Sequence, residues 1–401
     1  MDGVGTAVAR KHESAELSVP FDHDKLDSLM DEAGIDALIV TSKHNIQYLL
    51  GGYRFFFFDY MDAVGVSRYL PVFVYPKGRP NQAAYFGNAL EGYEKQLDKF
   101  WTPTVKTRSW GTVDAMQFGA DYLRGLDHPI RTVGVEMGFL PADAHAALRQ
   151  GVPNSEIVEC LRVLELLRAR KTPDELSLLR QASERVVDSM LAVIAGHGPG
   201  TTKTELAEAL RREELERGLT FEYCLVTSGS SHNRSPSDER WQKGDALSLD
   251  SGGNYKGYIG DLCRMGVQGE PDAELQDLLA EVDAVQLAAR KPIRAGALGS
   301  DIYAAAETAL STAAHCKIIA FTAHGMGLIT HEAPRLTGSG PVPYPPDDAD
   351  RPLEAGMVVS IETSLPHPKR GYIKLEDTLA VTATGFEAFG DAGRGWNRGG
   401  A

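Results

Sequence analysis

The chain has 401 residues, more than one ordinary hydrophobic core organises, so two domains are expected. Its 43% apolar content supports buried cores, while a formal net charge of -14 opposes docking on phosphate-rich or anionic surfaces and argues against nucleic-acid and membrane partners. No run approaches the roughly 20 apolar residues that span a bilayer, and residues 1–18 mix charges with small side chains in no secretory pattern, so a cytoplasmic location is expected.

In chain order, an amphipathic stretch from Asp24 to Ala33 is followed by apolar runs at Ala37 to Val40, Tyr69 to Tyr75 and Ala83 to Phe86, an α/β pattern. Between them lies a ring-rich segment, residues 53–60, read either as core or as the lining of a pocket. Cys160, Cys224, Cys263 and Cys316 show no CxxC spacing and read as reduced packing residues. A boundary is expected at 165/166, just before the helix start Thr172-Pro173-Asp174-Glu175, which combines an N-cap, a first-turn proline and a capping-box carboxylate. Apolar residues at helical spacing then run to Gly196. A second capping box, Thr202 with Glu205, opens another helix.

The pattern next turns to strands at Tyr223 to Val226, Ala246 to Asp250 and Gly260 to Val267, with the glycine-rich segment from Ser251 to Gly260 read as a turn. Helices are predicted over 272–292 and 300–315. Strands are predicted at Ile318 to Thr322, Met357 to Glu362 and Leu375 to Thr382, with a proline-rich loop from Pro341 to Pro346.

Asp250, Asp261, His324, Glu362 and Glu376 stand at the ends or edges of these apolar strands, where an unpaired buried charge would cost several kcal/mol. Hard oxygen donors with one imidazole suit Mn, Fe, Co or Zn, and four carboxylates balance two divalent ions. Such ions lower the pKa of a bound water toward neutrality.

The string from Thr322 to Arg335, TAHGMGLITHEAPR, resembles the metal-and-substrate motif of the pita-bread metallopeptidases, the family of prolidase, aminopeptidase P, methionine aminopeptidase and creatinase. Asp250 and Asp261 keep that family's eleven-residue separation, and Ser360-Ile361-Glu362 and Lys374-Leu375-Glu376-Asp377-Thr378 resemble its two glutamate motifs. The resemblance implies an amino-terminal creatinase/prolidase-like α/β domain over 1–165 and a pita-bread α+β catalytic domain over 166–401. By the same resemblance Asp261 and Glu376 bridge two divalent ions, Asp250 completes one, and His324 and Glu362 complete the other. It further implies that Glu362 accepts a proton from the attacking water, that His331 contacts the substrate carbonyl, that Arg335 grips a carboxylate, and that the protein is a homodimer.

Three positions depart from a proline peptidase. Asn233 aligns with a substrate histidine, with His232 one place early; Thr363-Ser364 replace a Pro-Gly after Glu362; and Lys374 replaces an arginine, keeping charge but losing the planar fork. Loss of a donor facing the scissile amide weakens a peptidase on the order of a hundredfold. The expected function is therefore a metal-dependent aminohydrolase or amidohydrolase cleaving a C–N bond of a small non-peptide substrate, such as the 5-nitroanthranilate of one family member. The alternative is an Xaa-Pro dipeptidase. A non-catalytic binding module is disfavoured because none of the five ligands is lost.

Overall fold

The computed structural model describes residues 18–57, 69–337 and 344–400. Its chain divides into two units, Met1–Val163 and Leu164–Ala401.

In the first unit six strands, β1 (Ala37–Val40), β2 (Val72–Pro76), β3 (Ala84–Asn88), β4 (Thr104–Ser109), β5 (Thr132–Val135) and β6 (Glu156–Glu159), form one sheet in the order β4-β3-β2-β1-β5-β6. β2 runs antiparallel to β1 and β3, and the other pairs are parallel. Ala37 to Val40 show no alternation because every one of them is buried. Ala115, Met116 and Ala120 of the helix Thr112–Arg124 pack over Ile39, Val72 and Val74. Within the ring-rich segment Phe55 is buried, Phe57 stacks on Tyr69 at 5.0 Å and Phe56 is exposed; residues 58–60 lie outside the described residues.

The second unit opens with the helices Pro173–Gly196 and Lys203–Glu216, each started by the capping box its sequence predicts. Its strands are β7 (Thr220–Ser228), β8 (Ala246–Tyr255), β9 (Tyr258–Val267), β10 (Ala320–Gly325), β11 (Val358–His367), β12 (Gly371–Val381), β13 (Phe386–Phe389) and β14 (Asn397–Arg398). They order as β10-β11-β12-β9-β8-β7, with β13 on β12 and β14 on β9. Val186, Met190 and Ile194 of the long helix pack on Leu247, Leu249 and Leu262 of the sheet. The helices Ala273–Arg290 and Gly299–Leu310 cover its other half through Val285, Ala289, Ile302 and Ala306.

Three local expectations change. The glycine-rich segment after Asp250 is mostly strand: β8 and β9 form a hairpin with only Lys256 and Gly257 between them, at φ 53° and 97°, the positive pair of a type I′ turn. Apart from Gly257, its glycines serve close approach, since a Cβ on Gly260 would lie 2.7 Å from the carbonyl carbon of Ala182 in the long helix. The helix predicted over 300–315 ends at Leu310, where the Ser311 and Thr312 hydroxyls donate to the carbonyls of Thr308 and Ala309 and draw the chain into turns. Cys316 follows those turns and is exposed, whereas Cys160, Cys224 and Cys263 are buried. Among the described residues no helix is long and apolar enough to cross a membrane.

Candidate metal centre

Strand register brings the five predicted donors to one face of the second sheet. Residues directly opposite across an antiparallel pair share a face, as do residues two apart along a strand. Thr322 pairs with Glu362, Glu362 with Glu376, Glu376 with Cys263, and Cys263 with Asp250, so one row crosses β10, β11, β12, β9 and β8. His324 lies two residues beyond Thr322, and Asp261 two before Cys263. Both therefore face the same way as the row.

Asp261, His324 and Glu376 are all buried, and each offers a donor atom within 4.8 Å of the others. His324 Nε2 stands 3.7 Å from Glu376 Oε1, which also accepts from Ser360 Oγ at 2.9 Å. Asp261 Oδ1 is buried without a hydrogen-bond partner. Burial, then the charges of Glu376 and Asp250, push the Asp261 carboxyl well above its ordinary pKa. Burial opposes the charge on Glu376 too, but Lys374 and His324 hold it below the usual carboxylate range. Burial lowers His324, yet Glu376, Glu362 and Asp261 together raise it to about 9.

Lys374 sits among these acids. Its Nζ lies 2.6 Å from Asp250 Oδ2, 2.5 Å from Glu362 Oε2 and 2.8 Å from Glu376 Oε2. Arg234 also donates to Asp250 Oδ2, its guanidinium resting on the Tyr372 ring. Sequence reasoning marked Lys374 only as a substitution and missed Arg234 and Tyr223. Tyr223 stands opposite Gly252, where a Cβ would strike its ring at 2.4 Å, and burial with the charges of Asp261, Asp250 and Glu376 raises its phenol well above the ordinary value. Its signal was the glycine facing it, which is visible only once the strands are paired.

The remaining predicted residues are dispersed around this cluster. The His331 ring stacks on His324 with centroids 4.1 Å apart and planes 6° apart, and burial followed by the charge of His324 lowers its pKa to about 4. Arg335 Nε donates to Glu165 Oε2 at 2.7 Å, and its guanidinium covers the Tyr344 ring. His232 and Asn233 are exposed: His232 Nε2 bonds the His367 carbonyl at 3.1 Å, and Asn233 Oδ1 accepts from the Ser235 amide at 3.1 Å. At Thr363-Ser364, which stand in place of a Pro-Gly, β11 simply continues, and Thr363 Oγ1 donates to Gln286 Oε1 at 2.9 Å.

Residues 177–383 match Metallopeptidase family M24, and residues 23–170 match the Creatinase/Prolidase N-terminal domain. The chain belongs to metallopeptidase family M24. It is 23% identical to the uncharacterized peptidase YqhT of Bacillus subtilis, across 90% of this chain and 95% of that one. It is 24% identical to the Xaa-Pro dipeptidase of Pyrococcus furiosus, with 90% and 95% covered. The solved Xaa-Pro dipeptidase from Bacillus anthracis superposes with a TM-score of 0.79 at 23% identity, covering 94% of this chain and 98% of that one. This M24 protein thus has a creatinase-like α/β domain followed by a pita-bread α+β catalytic domain, and it is a metal-dependent hydrolase acting on C–N bonds. The donor set fits the divalent ions that M24 enzymes use: Asp261 Oδ1 is an orphaned buried oxygen, disfavoured as an anion partly by carboxylates that a cation would bridge.

Proposed function

We propose that the protein is a dipeptidase of the Xaa-Pro type. One observation carries the reading: Asp261, His324 and Glu376 gather donor atoms within 4.8 Å on one sheet face, with His331 stacked at their edge. The relatives named as Xaa-Pro dipeptidases, each matching nearly the whole chain, favour a peptide substrate over the non-peptide amine anticipated from the departures at 233, 363 and 374.

A divalent ion held by Asp261, His324 and Glu376, with Asp250 and Glu362 beside them, would act as a Lewis acid and supply an ionised water at neutral pH. Mn, Fe, Co and Zn all suit such oxygen-and-imidazole donors. Glu362, the least buried of the acids, takes the proton from the attacking water and passes it toward the leaving amine. A His331 ring N–H donates to the carbonyl oxygen of the scissile bond, stabilising charge that develops there. Arg335, its orientation fixed by Glu165, meets the carboxylate of a dipeptide. His232 and Asn233 precede Arg234, which donates to Asp250, on an exposed segment, and we assign them to substrate contact on that basis. We also propose a homodimer, checked by sedimentation.

The test is proline release from Xaa-Pro dipeptides by metal-loaded protein, run beside ammonia release from aminobenzoates. Proline release with no ammonia is the expected result. Ammonia release without proline would overturn the dipeptidase reading in favour of an aminohydrolase.

A further inference from the structure

We propose that the Lys374 ammonium stands in for one of the two cations that the five-residue donor set provides for, so that this chain binds a single divalent ion, at Asp261, His324 and Glu376. The donors divide between two positions. Around one, three carboxylate oxygens from three residues, Asp250 Oδ2, Glu362 Oε2 and Glu376 Oε2, close on Lys374 Nζ at 2.5 to 2.8 Å. Around the other, a partnerless Asp261 Oδ1 converges with His324 and Glu376. Three protein ligands that leave a position for water is the arrangement of a catalytic metal site.

Charge points the same way. Four carboxylates, Asp250, Asp261, Glu362 and Glu376, meet two fixed cations, Lys374 and Arg234, leaving a deficit that one divalent ion neutralises. A second ion would leave the site positive even with an ionised water bound, and uncompensated charge away from water is expensive. The ammonium has little room to withdraw: the Lys374 side chain is 4% exposed, and its backbone is fixed by pairing to Ser364 two rungs from Glu376. An arginine, which the family resemblance leads one to expect here, spreads its charge over a planar fork; lysine delivers a compact point charge with the hydrogen-bonding demand of a small cation.

The inference uses the metal-hydrolase reading only for the presence of an ion. The test is metal content of the full chain after loading with Mn(II) and removal of excess, by elemental analysis and by titration calorimetry, together with the electron paramagnetic resonance spectrum. The expected result is one ion per chain and the hyperfine pattern of an isolated Mn(II). Lys374→Met, which keeps bulk and removes charge, is expected to double the count and produce a spin-coupled pair. Two ions per wild-type chain, or none, would overturn the proposal, and so would a count unchanged in Lys374→Met. If that variant does not fold, the wild-type count decides alone. Two ions with proline release would sink this inference and leave the dipeptidase reading; one ion without proline release would do the reverse.

Discussion

Glu332, the residue after His331, provides the most severe test of how the site is held. Its carboxylate receives Arg168 Nε at 3.0 Å and Lys171 Nζ at 2.9 Å, with all three side chains at most 1% exposed. Its amide also bonds the Gly325 carbonyl at 3.0 Å, tying the segment that carries His331 to the end of β10. Glu332→Gln would keep the shape and leave two buried cations facing a neutral amide. Removing one partner of a buried ion pair costs about 3–5 kcal/mol. For a unit of this size that corresponds to a fall in melting temperature of roughly 6–20 °C. Burial opposes the charge on Glu332, but Lys171 and Arg168 hold its pKa below the ordinary 4.5. Its contribution is therefore present above that value and is lost as pH falls through the depressed one, so wild type and variant should converge in acid. Urea unfolding at neutral and acid pH measures this, with Lys171→Met added to the variant expected to recover part of the loss. A neutral-pH difference under about 1 kcal/mol would mean the triad does not carry the charge balance inferred from it.

Glu214 is a buried acid of the opposite kind: burial raises its pKa to about 8, with Ser251 Oγ donating to it at 2.8 Å. The folded state thus retains a proton that the unfolded chain releases near 4.5, and stability falls as pH rises toward 8. Glu214→Gln should gain on the order of a few kcal/mol relative to wild type at pH 9 and nothing at pH 4, a pattern that denaturant midpoints across pH would confirm or contradict. Glu376→Gln should lower turnover more than ~100-fold while circular dichroism stays unchanged, since ligand loss exceeds the effect of outer-sphere changes; unchanged turnover would remove Glu376 from the centre. Gly260→Ala should cost about 1–3 kcal/mol or more, because its Cβ would meet helix backbone that cannot swing aside. Calorimetry showing no loss would contradict that close approach.

Local chemistry was readable from the residues alone. The Thr172 and Thr202 capping boxes depend on side chains three positions apart, and both helices start where those side chains say. The five donors were legible as motif strings, and register then put them on one face. What required long-range pairing was not legible: Lys374 reaches three acids from three strands, Arg234 arrives from the segment after β7, and Tyr223 needs Gly252 opposite it. The glycines after Asp250 misled because a glycine that admits a neighbouring ring or helix looks, in one dimension, like a glycine that bends the chain.

The row of acids is held by sheet rungs that tolerate no partial error. A slip of one residue in β12 would turn Glu376 and Lys374 to the helix-covered side and bring Leu375 and Asp377 round in their stead. Since Asp250 and Glu376 meet only through such long-range pairing, the acid cluster is expected to be complete only once the local hairpins have come together. Retention of metal would then serve as a sensitive report on whether a given molecule has reached its native register.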